Sequence, residues 1–358
     1  MMLYKLLQTL TPARLQPLVI SLGRLGRPAA LLERSGVEVI GLGLDRSPLA
    51  LPGGLRRAHD ILRGFQPDLL SGWMYHGNLL AWALSRRSGT PLVWNIRQTL
   101  NLKGEKWLTR GVIRGGALLS RAPRRILYVS RLASEQHAAV GYCQRFCAVV
   151  PNGFDLDVFQ RDEVQRARLR GQLAVSDSTC VIGHLARYHP MKDQLGLIAA
   201  ARRVLAQEDD VLFVLAGAGI SDSSRLVAAV RDFGLQAKVR LLGETDCPQA
   251  LLSACDLFCL PSLWGEGFPN VVGEAMACEL PCVVTRVGEG PAIAAETGLA
   301  VEPGDPRALA QALLHLVRLG HAERTRLGCL ARERIAQNFS LSRVATLYEN
   351  QFREVLSV

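Results

Sequence analysis

The feature that most constrains this chain is a repeated alternation of short apolar runs with amphipathic helical stretches. Six runs read as strands before residue 151: Leu18–Leu22, Val37–Gly41, Leu69–Trp73, Leu92–Asn95, Arg125–Val129 and Cys147–Val150. Six more follow: Val181–Leu185, Val211–Gly217, Val239–Leu242, Leu257–Leu260, Cys282–Thr285 and Leu299–Val301. Repeated strand–helix units place strands in parallel sheets with helices on both faces. Two such sets predict an α/β protein with two Rossmann-like, doubly wound parallel-sheet domains. A 358-residue chain agrees with that, at ~150 residues per domain. The segment PNGFDLDVFQ, Pro151–Gln160, breaks the alternation and marks the boundary. The reading gives a first domain over residues 1–155 and a second over 156–339. A closing helix, Leu341 to Leu356, lies in residues 340–358 after the break at Asn338–Ser340.

Composition narrows the class. With 49% hydrophobic and 21% charged residues the chain has ample core and is not a disordered protein. No apolar run reaches the ~18 residues of a membrane-spanning helix. The first residues lack the basic segment and apolar block of a secretory leader. The nine cysteines are scattered, with no C-x-x-C pair. They read as small buried hydrophobes in a reducing cytosol rather than as a zinc site. Asp155-Leu156-Asp157 spells D-x-D but belongs to the boundary segment, so no metal is expected.

Charge is unevenly placed. Residues 1–150 hold 21 Lys/Arg against 7 Asp/Glu, and residues 151–358 hold 21 against 25. A basic first half suits an anionic partner or surface. The densest stretch is Arg97 to Arg131, where Lys106, Arg110 and Arg114 recur every fourth residue and line one helix face. Trp107, Leu108, Val112 and Leu119 supply an apolar face. Such a helix suits an anionic membrane surface, or packs on its own core with a solvated basic face. His137 reads as a surface helix residue. No zinc finger, RNA-binding signature or basic–aromatic interleaving points to nucleic acid.

Two Rossmann-like domains facing each other form a cleft between the carboxyl ends of their strands, suited to a phosphorylated ligand. Three segments of the second half fit that place. GHLARYHPMKD, Gly183–Asp193, carries Arg187 and Lys192 in one loop, a cation pair that suits a diphosphate. GEGFPNVVGEAMA, Gly265–Ala277, carries Glu266 and Glu274 eight apart, with Pro269 and Asn270 marking a helix start and Asn270 as its N-cap. Backbone N–H groups there face an anion, and carboxylates accept from sugar hydroxyls. Gly217 opens a turn, Gly217–Gly219, that admits close backbone approach. In the first half, His76 falls just past the Leu69–Trp73 strand, where it either contacts a sugar or caps the next helix.

Taken together these segments resemble glycosyltransferase family 4, the group 1 glycosyltransferases of GT-B architecture. ARYHPMKD resembles the family's arginine–lysine loop. LPSLWGEGFPNVVGEAMACELPCVVT resembles its block of two glutamates, and VVPNGFD its interdomain segment. WMYHGNLLAWAL and VWNIRQTL are similar to members of bacterial polysaccharide assembly. SLSRVATLYENQFREVL resembles the helix that crosses back to the first domain. The resemblance implies a retaining hexosyltransferase that uses a nucleotide-sugar, preferably a UDP-sugar with GDP as the alternative, and no cofactor or metal. It implies that Arg187 and Lys192 stabilise the leaving diphosphate. Glu266 then binds the hexose, Glu274 the ribose, and Gly267, Phe268, Pro269 and Asn270 line the sugar site. The acceptor is a lipid-linked or polysaccharide chain at the cytoplasmic face of a membrane, met by the basic first half.

Departures from the family are also legible. MMLYKLLQTL reads as the family's first helix, so its first central strand is missing and a truncated start is expected. Arg97 stands where many members carry a histidine, which makes it the candidate polar contact of the first domain. Glu279 replaces a usual Gly, and Arg286 a usual Asp. A nucleotide-sugar-binding protein without turnover is the alternative function. A nucleotide-sugar epimerase is a third, against which the glutamate block argues.

Overall fold

The computed structural model describes residues 2–10, 15–44, 51–100, 104 and 106–357. It divides into two compact units, Met1–Gly153 with Leu341–Val358, and Phe154–Ser340. Each of the twelve apolar runs coincides with a strand to within one residue at either end. In the first unit these are β1 (Leu18–Ser21), β2 (Glu38–Gly41), β3 (Leu70–Trp73), β4 (Leu92–Ile96), β5 (Arg125–Tyr128) and β6 (Cys147–Val149). In the second they are β7 (Cys180–Leu185), β8 (Val211–Ala216), β9 (Val239–Leu242), β10 (Leu257–Leu260), β11 (Cys282–Thr285) and β12 (Leu299–Val301).

Within the first unit β3-β4-β5-β6 form one parallel sheet, and β1 pairs with β2 in another. Central strands of a parallel sheet are buried on both faces. β4 is buried throughout, whereas β1 and β3 are only partly covered. Among the described residues each has a single strand neighbour. The helix Leu341–Leu356 belongs to this unit. Its Val344, Ala345, Tyr348 and Val355 share a core with Leu6, Val93, Leu127 and Val150. Tyr348 stacks on Trp73 at 6.0 Å. Arg125 pairs with Glu354 at 2.5 Å, and Arg124 donates to the carbonyl of Val355.

His137 corrects one expectation: it is buried, not on the surface. It lies in the helix Arg131–Ala139, on the face that covers the unit's core. Its Nδ1–H donates to the Ala133 carbonyl at 2.6 Å, and its Nε2 accepts from the Tyr75 hydroxyl at 2.9 Å. The rings of Tyr128 and Tyr142 enclose it. Burial pushes its pKa down to about 4 and keeps it neutral.

The second unit carries a six-stranded parallel sheet in the order β12-β11-β10-β7-β8-β9. The chain runs outward from β7 to β9, then returns to β10 on the other side of β7. The order therefore reverses between β7 and β10, and a doubly wound sheet binds ligands at the carboxyl end of such a reversal. Alternating side chains feed two cores. Val181, Leu212, Val214 and Phe258 point to one face, and Ile182, Phe213, Leu215 and Leu257 to the other. Below the sheet's amino end, buried Asp256 accepts from Arg166 at 2.6 Å, Arg170 at 3.0 Å and the Val181 N–H at 2.8 Å. All nine cysteines are free thiols, and five are buried.

Candidate active site

The loop after β7 is built by local caps. His189 Nδ1 accepts from the Met191 N–H at 3.1 Å, and Pro190 opens a 3₁₀ turn, Pro190–Lys192. Asp193 then caps the helix Gln194–Leu205 by accepting from the Gly196 N–H at 3.1 Å. This places the Lys192 ammonium 2.5 Å from Glu266 Oε1, in the loop after β10. Ser262 donates to the same oxygen at 2.5 Å, and Thr285 donates to the Ser262 carbonyl at 2.5 Å. Both partners of the ion pair are largely buried. The two loops that flank the strand-order reversal are thus joined by a charge-assisted bond. Lys192 has three N–H donors, and among the described residues only Glu266 takes one.

Backbone bonds knit the rest. The Leu263 N–H donates to Met191, Tyr188 to Ala218, and Glu289 to Gly267. Gly217 has φ +146°, and a Cβ there would sit 2.1 Å from the Ala186 carbonyl oxygen. Gly288 has φ +61°, and its Cβ would meet the Glu266 carbonyl at 2.2 Å. Glycine is required at both points for the loops to approach.

Arg187 is exposed, and its guanidinium makes no hydrogen bond or ion pair among the described residues. Glu266 is followed by Gly267, then Phe268, which packs against Phe154 and Phe339 at 6.1 and 5.8 Å between ring centroids. Pro269 is the N-cap of the helix Asn270–Ala277, and Asn270 is its first helical residue. This corrects the expectation of an Asn270 cap: Asn270 already has helical geometry, and the extended residue before it is Pro269, at φ −71° and ψ 95°. No side chain caps the helix, and its start carries the positive end of the helix dipole. Glu274 lies one turn further on, half-buried.

In the first unit His76 is exposed, the third residue of the helix Met74–Ser88, and no side chain caps that helix. Arg97 takes another direction. Its guanidinium donates to the Val150 carbonyl at 2.7 Å and to Asn152 Oδ1 at 2.6 Å, and lies 6.0 Å over the Trp73 ring. Burial lowers its pKa. It fastens the boundary segment to its own unit. Asp155 of the D-x-D triplet accepts from the N–H groups of Asp157 and Val158, the bonding of a turn.

Two family descriptions match the chain: Glycosyltransferase Family 4 over residues 1–158, and Glycosyl transferases group 1 over residues 179–318. The chain belongs with the family 4, group 1 glycosyltransferases. It is 29% identical over 200 residues to N-acetyl-alpha-D-glucosaminyl L-malate synthase of Bacillus anthracis, covering 55% of this chain and 51% of that protein. It is 32% identical over 144 residues to UDP-Gal:alpha-D-GlcNAc-diphosphoundecaprenol alpha-1,3-galactosyltransferase of Escherichia coli, covering 39% and 36%. The chain thus spans about half or less of the length of these curated relatives. The crystal structure of Anabaena HepE in complex with UDP matches with a TM-score of 0.85 at 22% identity, covering 99% of this chain and 95% of that one. The fold is GT-B, with two Rossmann-like domains.

This family 4 chain holds residues that motif spacing did not single out. His184, in β7, is buried, and burial pushes its pKa down to about 4. Its Nδ1–H donates to the Cys259 carbonyl at 3.0 Å, which leaves Nε2 to accept from Gln194 at 3.4 Å. Gln194 Nε2 also donates to the Arg187 carbonyl at 3.0 Å. The relay holds the backbone of the Arg187 loop against β10. His184 lay within a motif already noted, but only the fold shows that it faces inward. Of the family departures, Glu279 has φ +63°, the left-handed region that glycine suits. Arg286 forms an exposed ion pair with Glu302 at 3.2 Å.

Proposed function

We propose that this chain is a retaining glycosyltransferase that moves a hexose from a UDP-sugar to a lipid-linked or polysaccharide acceptor. It works at the cytoplasmic face of a membrane, in cell-surface glycan synthesis. The observation that carries the reading is the Lys192–Glu266 pair at the strand-order reversal of the second unit. In the reaction the bond from sugar C1 to the diphosphate oxygen breaks. The acceptor hydroxyl bonds to C1 on the same face, and its proton passes to the leaving diphosphate. Arg187 and the unpaired N–H groups of Lys192 meet the charge that grows on the diphosphate, so the step needs no metal ion. Glu266 orients Lys192 and accepts from hexose hydroxyls. Glu274 accepts from the ribose, Gly217 admits the donor, and Gly267, Phe268, Pro269 and Asn270 border the sugar. His76 is the first unit's candidate contact to the acceptor. The UDP in the HepE complex and the UDP-Gal and diphosphoundecaprenol of the E. coli relative's name support this choice of donor and acceptor.

The test is a thermal-shift and donor-hydrolysis screen of UDP- and GDP-sugars on this chain and a Glu274→Ala variant. A ligand at a hundredfold excess over Kd stabilises by about 2.7 kcal/mol. One UDP-sugar is expected to stabilise and be hydrolysed by the parent and to fail with the variant. No binding to well-folded protein would overturn the reading. Donor binding without turnover is the second reading. The division of the first unit's described strands into two sheets favours it, since strands with a single neighbour, such as β1 and β3, hold their loops less firmly.

A further inference from the structure

Three helices of the second unit, Gln194–Leu205, Ser224–Asp232 and Pro306–Arg318, cover one of its cores with Leu197, Ala201, Leu226, Val230, Leu309 and Leu313. Where they meet at the surface a cavity of about 640 Å³ opens, within the ~300–1,000 Å³ of ligand pockets. Helical spacing makes the hollow. Ala199 and Ala206 stand three or four residues from both Arg202 and Arg203, so small side chains leave room beside the two long ones. Phe233, which ends the helix Ser224–Asp232, and Pro306 complete an apolar wall. Arg202 lies 5.0 Å over the Phe233 ring. Arg307 enters from the start of the third helix.

Charge here runs against its surroundings. Residues 151–358 hold more Asp/Glu than Lys/Arg, yet three arginines and one carboxylate line this hollow. At the far end of the third helix Arg318 finds Glu208 at 2.7 Å. Arg202, Arg203 and Arg307 make no ion pair among the described residues. The carboxylate is Asp305, and its helix already engages it. It accepts from the N–H groups of Arg307 at 2.9 Å and Ala308 at 3.0 Å. The Ala308 bond first, then the Arg307 bond and the Arg307 and Arg203 charges, hold its carboxyl below the usual range. Three guanidiniums against one carboxylate leave two positive charges at the apolar wall.

We propose that this hollow is a second ligand site, which takes an organic phosphate with an apolar body. Charge complementarity selects the class. A phosphate monoester carries about two negative charges at pH 7, the number left over here. Guanidinium forks bind phosphate oxygens with parallel donors. The Phe233 ring and the two alanines cover the body of the ligand, a surface that inorganic phosphate would leave in water. A neutral apolar ligand would leave the guanidiniums unused. The site stands apart from the Lys192–Glu266 pair. Arg202 follows Gln194 by eight residues in one helix, about 12 Å along its axis. The proposal is therefore independent of the sugar-transfer reading.

The test is isothermal titration calorimetry of the full chain with phenyl phosphate and with inorganic phosphate. Phenyl phosphate is expected to bind at least ~tenfold more tightly than inorganic phosphate, and less tightly at high salt. Arg203→Gln with Arg307→Gln should weaken both by at least ~tenfold. Phe233→Ser should bring phenyl phosphate down to the level of inorganic phosphate. Every side chain changed is solvent-exposed, and thermal melts check that folding is kept. No binding of phenyl phosphate, equal affinity for the two probes, binding that either variant retains unchanged, or displacement of the probe by UDP would each overturn the proposal. UDP-sugar stabilisation, read on the same proteins, reports the proposed donor site separately. Its absence beside intact phenyl phosphate binding would remove the transfer reading and leave this site.

Discussion

Lys192 and Glu266 are 74 residues apart in the chain and 2.5 Å apart in the structure. Each belongs to the loop that leaves one of two adjacent strands, β7 and β10. The pair therefore locks the two loops where the strand order reverses, and it presents the remaining lysine donors there.

Removing one partner isolates a largely buried charge. Lys192→Met alone, or Glu266→Gln alone, is expected to lose about 2–3 kcal/mol in urea denaturation, and the double variant less than either. All three should lose at least ~100-fold in donor turnover, because in the proposed reaction the Lys192 charge meets the leaving diphosphate and is gone or displaced in them. A single variant of parental stability would show that the pair does not hold the loops.

Arg97 offers a separable test. Its fork is shared between Val150 and Asn152, so Arg97→Met is expected to cost about 2–3 kcal/mol. Arg97→Lys should recover little of it, since an ammonium cannot reproduce the planar fork. Donor affinity in thermal shifts should stay at the parental value. Normal stability with impaired acceptor use would return Arg97 to substrate contact.

Glu279 predicts a gain. A non-glycine residue at φ +63° is strained, and Glu279→Gly should raise stability by about 1 kcal/mol. Differential scanning calorimetry reads this as a Tm higher by a few degrees. An unchanged or lower Tm would show that the Glu279 side chain makes up for its backbone strain.

Acid should weaken both units through buried histidines. His137 and His184 have pKa values pushed down to about 4 by burial, against ~6.5 in the unfolded chain. Their stabilising effect is complete above pH ~6.5. As pH falls toward ~4 the unfolded state takes up protons that the folded state refuses, and stability drops by about 1.4 kcal/mol per pH unit per histidine. Urea midpoints between pH ~4.5 and ~7 measure the slope. His137→Phe should flatten it, and an unaltered slope would mean that His137 is not the responsible group.

Strand positions were legible because burial on both faces demands continuous apolar runs, and β7, β8, β10 and β11 show it in their residues. The candidate residues Arg187, Lys192, Glu266 and Glu274 were legible because glycine, proline and charge punctuate the loops that carry them. The bond between Lys192 and Glu266 was not, since spacing in sequence carries no distance between loops of different strands. His137 was misread because a lone histidine on a helix has the same local pattern inside or outside. Only Tyr75, Tyr128 and Tyr142, brought from other elements, decide it. For the helix Trp107–Leu119 the apolar face read from sequence, Trp107, Leu108, Val112 and Leu119, is not the one the core claims: Ile113 and Gly116 are buried, while Trp107 and Leu108 stay exposed.

The amino-acid sequence by itself determined the alternation of strands and helices, the two units and the loops that hold the charged residues. Those depend on local periodicity and backbone preference, which are properties of neighbouring residues. The tertiary structure decided which charges meet, which polar side chains are buried and which apolar ones stay exposed. Those depend on sheet order and register, and sheet order brings together residues that no local pattern connects.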